Sequence, residues 1–309
     1  MKNYKLSDET RTLPCGMVLR RVVATTTFTL ACEITINAGD VGGWIEKESN
    51  LSDNAWVTGD ALIYGDAKVY DNAVVCDNAQ VYGNAQVYGN AEVSYTARVF
   101  DNAQVYDNAW IFDNAEASSN ARLYGDAKVF DKVKVSGDAL VYDNAWVSGY
   151  ARVSGNAWVS GAARISGNAE VSGNARVCGD AWVSDIARIY DNAEVYGNAW
   201  VSGDAQIFGN AHVYDKAKVH GEALVSDFAQ ISGNAKVMNV SDYVVFKDNW
   251  SSGRYFTWTK SNDKWTVGGF YGTGDELIKE AYADSENSGK HYEACVKLVE
   301  TLKNVEQEK

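Results

Sequence analysis

The chain has 309 residues, with 41 acidic against 28 basic side chains and a formal net charge of −13. That balance excludes nucleic-acid binding through phosphates, which needs a basic surface. No charged-then-apolar leader and no run of eighteen apolar residues occurs, so a cytoplasmic protein that neither spans nor binds a membrane is expected.

Residues 1–44 do not repeat. Residues 18–24 and 27–30 have the composition of β-strands. The segment ends in Gly39-Asp40-Val41-Gly42-Gly43-Trp44-Ile45-Glu46. The open end of a stacked sheet is a row of unpaired backbone groups. The segment therefore reads as an N-terminal β cap that blocks such an end.

Residues 45–238 are one hexad written over and over: Ala-x-Val-y-Gly/Asp-Asn. An aliphatic residue stands at every sixth position from Leu51 to Val237, Ala117 alone being smaller than valine. Alanine stands two residues before each, from Ala55 to Ala235, except at Val133. A fixed short period marks a solenoid. In extended backbone Ala and Val point to one side, x and y to the other. Gly/Asp-Asn then turns the chain, since these residues tolerate left-handed backbone. Three such sides close a coil of eighteen residues, and about 10–11 coils fit the run. The fold class expected is an all-β solenoid, a parallel β-helix. Its hand is not fixed by the period.

Sorting the outward slots by eighteen gives three faces. The first carries Trp56, Trp110, Trp146, Trp182 and Trp200 in its x slots. The second is charged, with Arg98, Glu116, Lys134, Arg152, Glu170 and Arg188. The third carries a tyrosine ladder, Tyr70, Tyr88, Tyr106, Tyr124 and Tyr142, resumed at Tyr196 and Tyr214. Stacked aromatics stabilise adjacent strands. A contiguous exposed aromatic surface is also what an interface looks like. Trp110, Trp146, Trp182 and Trp200, with Tyr88, Tyr106, Tyr124 and Tyr142, are the binding candidates.

Residues 239–309 change character. Residues 243–246, 255–259 and 264–267 read as three antiparallel strands. Thr273 with Glu276 three residues on is a capping box, opening the first of two helices. The second places Tyr292, Cys295, Val296, Val299 and Leu302 at helical spacing. A small α+β domain of three strands and two helices is expected. Its role is either to close the other end of the solenoid or to make an oligomer or partner contact.

The cysteines, Cys15, Cys32, Cys76, Cys178 and Cys295, are scattered without metal-ligand spacing and read as reduced thiols, with no metal. The histidines are His212, His220 and His291. His212 is the best candidate for a catalytic base, because Glu194 occupies the same slot one coil earlier and could orient the ring. No phosphate-cradling glycine loop is present.

The repeat, with an aliphatic residue and a small residue four positions later every six, is similar to the hexapeptide-repeat family. The opening Tyr4-Lys5-Leu6-Ser7-Asp8-Glu9-Thr10, the Gly-Gly-Trp-Ile-Glu segment and Asn50-Leu51-Ser52 resemble the YdcK-like transferase type and many phage or prophage proteins. The resemblance covers about residues 1–238. It implies a left-handed β-helix. It also implies, as one reading, an acyltransferase that takes acyl-CoA between neighbouring subunits and uses a histidine base. Here the coils throw out no loop. The reading preferred is a non-catalytic binding or scaffold protein, phage or prophage encoded, without a cofactor. Its first partner would be itself, with a host protein or a small ligand as further partners. A third reading is an acidic decoy that blocks a host defence or DNA-binding factor, motivated by Asp101, Asp107 and Asp113 at successive corners.

Overall fold

The computed structural model describes residues 2–30 and 33–307; Cys32 lies outside them. The chain falls into two compact units, residues 1–179 and 180–309.

In the first unit the hexads form two-residue strands, x and Val, running from Trp56–Val57 to Arg176–Val177. Within the unit they pair in parallel at a spacing of eighteen, as Gln80 with Arg98 and Glu92 with Trp110. The result is a solenoid of eighteen-residue coils with three parallel sheets. Three N–H groups per hexad donate to the next coil. At one side these are Trp110 N to Ala127 O at 2.9 Å, Phe112 N to Val129 O at 3.0 Å and Asn114 N to Asp131 O at 2.8 Å. The Ala N–H turns back within its own corner, as Ala115 N to Phe112 O at 3.3 Å. The inward Ala and Val residues are at most 3% exposed along the coils, so the interior is continuous. Burying each valine contributes about 1.5–3 kcal/mol.

The first corner residue has φ near +60°, which is why only Gly, Asp and a few others stand there. Asp brings a second contribution. Its carboxylate accepts the corner N–H one coil on: Ser119 N to Asp101 Oδ2 at 3.1 Å, Gly125 N to Asp107 at 3.3 Å, Asp131 N to Asp113 at 3.3 Å. The second corner residue forms amide ladders, Asn72 to Asn90 to Asn108 to Asp126.

The N-terminal segment closes this unit's first coil. The strand Tyr4–Thr12 pairs antiparallel with Val18–Ala24, which pairs antiparallel with Val41–Ile45. The last of these pairs in parallel with Leu62–Ile63 and so enters the solenoid sheet. Gly42 and Gly43 are required by close approach. A Cβ on Gly42 would lie 2.5 Å from Val57 O, and one on Gly43 would lie 2.8 Å from Ala61 O. Trp44 is buried beneath Arg21, whose guanidinium lies 4.7 Å from the ring. Buried Asn50 bonds the carbonyls of Gly65 and Ala67 and accepts from Lys47 N.

One strand here was not expected, and one expectation changes. The segment Tyr4–Thr12 is a strand although its polar outer face carries no apolar alternation; pairing, not burial, holds it. Trp56 does not face solvent. It is 1% exposed, packed edge-on against Phe28 at 5.6 Å, because the cap covers the first coil.

The second unit contains coils built the same way, from Trp182–Val183 to Lys236–Val237. Beyond them lies a four-stranded antiparallel sheet, Tyr243–Lys247, Tyr255–Thr259, Lys264–Val267 and Phe270–Gly272, with helices α1 (Gly274–Asp284) and α2 (Glu286–Gln307). The sheet thus has four strands rather than three. Phe270 returns beside Val267 through Gly268-Gly269, with Gly268 at φ +60°, a two-residue hairpin turn. Thr273 and Glu276 form the capping box. Phe256, Trp258, Trp265, Leu277, Tyr292, Val296 and Val299 make the core of this domain. Leu302, assigned to the helix's inner face by spacing, is exposed.

The sheet satisfies the last coil. Gln230 N donates to Thr257 Oγ1 at 2.9 Å, Lys236 N to Ser261 Oγ at 2.6 Å, and Met238 N to Asp242 Oδ2 at 2.7 Å. These are the slots whose N–H groups elsewhere reach the following coil. Side-chain oxygens replace the missing backbone acceptors, so the domain caps this end.

Candidate functional site: outward faces and a basic recess

On the first face of unit one the tryptophans project outward, Trp110 at 42% and Trp146 at 43% exposure. They do not touch one another. Lys128 stands between them, its Nζ 5.2 Å from each ring, and Arg164 lies 5.7 Å from Trp146 on the far side. This is a stack of alternating rings and cations, each contact worth about 0.5–1 kcal/mol at an exposed site. The expected contiguous aromatic surface is therefore interleaved with charge on this face. Phe112 and Phe130 stack at 4.9 Å in the y slots and meet Trp110 and Trp146 edge-on.

The tyrosine ladder is continuous. Tyr70, Tyr88, Tyr106, Tyr124 and Tyr142 stack with centroids 4.8–4.9 Å apart and planes within 5°. The rings are half-buried, so each shields the next. Burial, with the neighbouring Tyr88 and Tyr124 adding to it, pushes the Tyr106 hydroxyl up to about 12. Burial likewise raises Tyr70, Tyr88 and Tyr124.

The charged face carries Arg98 and Lys134 on either side of Glu116, Lys134 Nζ at 3.5 Å, and Arg152 3.6 Å from Glu170. It also carries a second aromatic ladder that the sorting by charge passed over: Tyr64, Tyr82 and Phe100, stacked 5.0 and 5.1 Å apart. Their spacing of eighteen was the signal available in the sequence.

In unit two Trp182 and Trp200 stack directly, 5.4 Å apart and 9° from parallel. Lys218 Nζ lies 5.2 Å from the Trp200 ring. Beside it is a recess of about 350 Å³ lined by Trp200, Ser202, Lys218, His220 and Lys236. Candidate base His212 is half-buried, its Nδ1 3.5 Å from Glu194 Oε2 and its ring edge-on to Tyr196 at 6.3 Å. The carboxylate is thus placed to orient the ring as the spacing suggested.

His291 meets a buried carboxylate, with its Nδ1 3.4 Å from Asp248 Oδ2. That contact is not a hydrogen bond; Oδ2 has no hydrogen-bond partner, while Oδ1 accepts Trp250 N at 3.0 Å. Cys295 lies one turn along α2 from His291. Burial, with Asp248 adding to it, pushes its thiol up to about 11, so it is protonated at neutral pH and is no thiolate nucleophile.

Cys15 and Cys295 are free thiols, and Cys76 and Cys178 stand outside any disulfide. Among the described residues no cluster of three or more metal-ligating side chains occurs. No helix among them is long and apolar enough to cross a membrane.

No curated protein gives a significant match to the chain. The family model described as YdcK Beta solenoid repeat matches five segments, residues 79–95, 133–149, 151–167, 163–179 and 187–203. All five fall on hexads whose strands pair at a spacing of eighteen, in both units. The match and the coils agree: these segments are β-solenoid repeats similar to the YdcK repeat.

Proposed function

We propose that the protein is a non-catalytic binding or scaffold protein of the cytoplasm, phage or prophage encoded, that acts by protein–protein contact. The observation that carries this reading is the set of outward tryptophans fixed in place before any partner arrives. Trp110 and Trp146 are held by Lys128 and Arg164, and Trp200 by Trp182 and Lys218. Pre-ordered aromatic edges lose little entropy on contact and are the side chains that most often anchor interfaces. Interleaved cations add selectivity for a partner with carboxylates facing the stripe. A second copy of the chain, which carries 41 acidic side chains, is such a partner.

Light scattering at high micromolar concentration tests the reading. An oligomer is expected. Replacing Trp110 and Trp146 by serine, and separately Trp182 and Trp200, should dissociate it through whichever stripe is used. The melting temperature should hold, because these side chains are outside the core. A strict monomer, or an oligomer untouched by both variants and by truncation after Val240, overturns it.

The acyltransferase alternative is favoured by one observation, the His212–Glu194 pair at 3.5 Å. No thiol release from acetyl-CoA is expected. Turnover that His212→Ala abolishes would replace the first reading. The decoy alternative rests on Asp101, Asp107 and Asp113, which keep their charge at the corners while each also accepts a backbone N–H.

A further inference from the structure

We infer that the recess lined by Trp200, Ser202, Lys218, His220 and Lys236 is a binding site for a small phosphate monoester with an apolar body. Its volume of about 350 Å³ is at the lower end of ligand pockets. The recess lies on the flank of the tryptophan where the residue two positions on stands. At Trp110 the same flank is filled by Phe112, edge-on at 6.2 Å. At Trp200 the y residue is Ser202, which leaves that flank open, with His220 one coil on.

The charge of the recess runs against the rest of the chain. Overall the charge is −13, yet two lysines and an imidazole converge here with no carboxylate among the lining residues. Among the described residues neither lysine nor His220 forms an ion pair. By contrast Arg98, Lys134 and Arg152 on the charged face are each opposite a glutamate. Adjacent unpaired cations repel, and an anion placed between them removes that cost.

The donor set decides the class of anion. Two ammonium groups act as compact point charges, and a phosphate monoester brings two negative charges to one tetrahedral group where a single carboxylate brings one. Ser202 offers a hydroxyl as a further donor. The apolar side of the recess is the exposed edge of Trp200. Its two faces are taken by Trp182 and Lys218, so a base or sugar cannot stack on it. The body of the ligand therefore lies against a ring edge, which suits a small aromatic or aliphatic group rather than a nucleoside.

Isothermal titration calorimetry of the full chain tests the site with phenyl phosphate, inorganic phosphate and phenol. Phenyl phosphate is expected to bind with a sub-millimolar Kd, at least about tenfold tighter than inorganic phosphate, and phenol not to bind. Lys218→Gln with Lys236→Gln should weaken phenyl phosphate at least about tenfold and leave the circular dichroism and melting unchanged, since both side chains are exposed. Trp200→Ser should bring phenyl phosphate down to the affinity of inorganic phosphate. No heat with phenyl phosphate overturns the inference, as does binding that survives the double lysine variant. Equal affinity for inorganic phosphate overturns the apolar half of the site. Titration below the concentration at which light scattering detects an oligomer keeps these outcomes apart from self-association, which would use Trp200 and Lys218 as well.

Discussion

At the scale of single residues the two exceptions to the repeat explain one another. Ala117 is the one undersized residue in a valine slot, and Val133 the one oversized residue in an alanine slot. Both are fully buried. They adjoin on neighbouring coils of one sheet, where Glu116 N donates to Val133 O at 2.9 Å. The methyls added at Val133 are expected to fill the room given up at Ala117. Val133→Ala alone should cost about 1–2 kcal/mol through the cavity left behind. Ala117→Val alone should cost about 1–3 kcal/mol through overpacking. Together they should recover most of the loss, a coupling that a double-mutant cycle in denaturant measures. Additive losses would show that the two sites do not share volume.

At the scale of the element, the tyrosine ladder stores a pH dependence. Burial holds Tyr70, Tyr88, Tyr106 and Tyr124 protonated above the ordinary phenol value, Tyr106 to about 12. In the unfolded chain each phenol loses its proton near 10. A raised folded value means the folded state binds the proton more tightly. This stabilisation is complete below pH 10 and is lost as pH rises from 10 through about 12. Phenolate absorbance should therefore rise late and together with loss of the near-ultraviolet dichroism. Replacing Tyr88, Tyr106 and Tyr124 by phenylalanine keeps the stacking and should move the alkaline transition upward. An unchanged transition would place the alkaline sensitivity elsewhere.

The ladder was legible as a spacing, as were the coil length and the inward Ala and Val. Each depends only on a residue and its neighbour eighteen positions on. What the period hid were the places where something non-repetitive lies on a coil. Trp56 has the same slot as Trp110, yet Phe28 and Gly42 cover it. Lys236 N has the same slot as Trp110 N, yet its acceptor is Ser261. The cations on either side of Trp146 were in view as Lys128 and Arg164, but their seating on the rings needed coordinates. The recess was not legible at all, since it is a gap, and a gap is defined by the side chain that is smaller than its counterpart coils away.

At the scale of the whole molecule, the exact register of eighteen has a consequence for how such a chain can change length. The six-residue word is the unit of sequence, but the neighbour that each outward residue meets is fixed by three words. Removing residues 121–138 from unit one deletes a full coil and leaves every later residue on its own face. Arg152 then comes after Glu116, and Tyr142 after Tyr106, so charge and ring partners are renewed. Removing only residues 121–126 keeps the interior spelling of Ala and Val but carries everything after the cut to the next face. Leu140 then stands opposite Glu116, and Ser136 opposite Phe112. The first deletion should fold with its melting temperature nearly kept, and the second should melt markedly lower, although it loses fewer residues. Growth and loss in this chain therefore proceed by quanta: the grammar permits six, but the surface accepts eighteen.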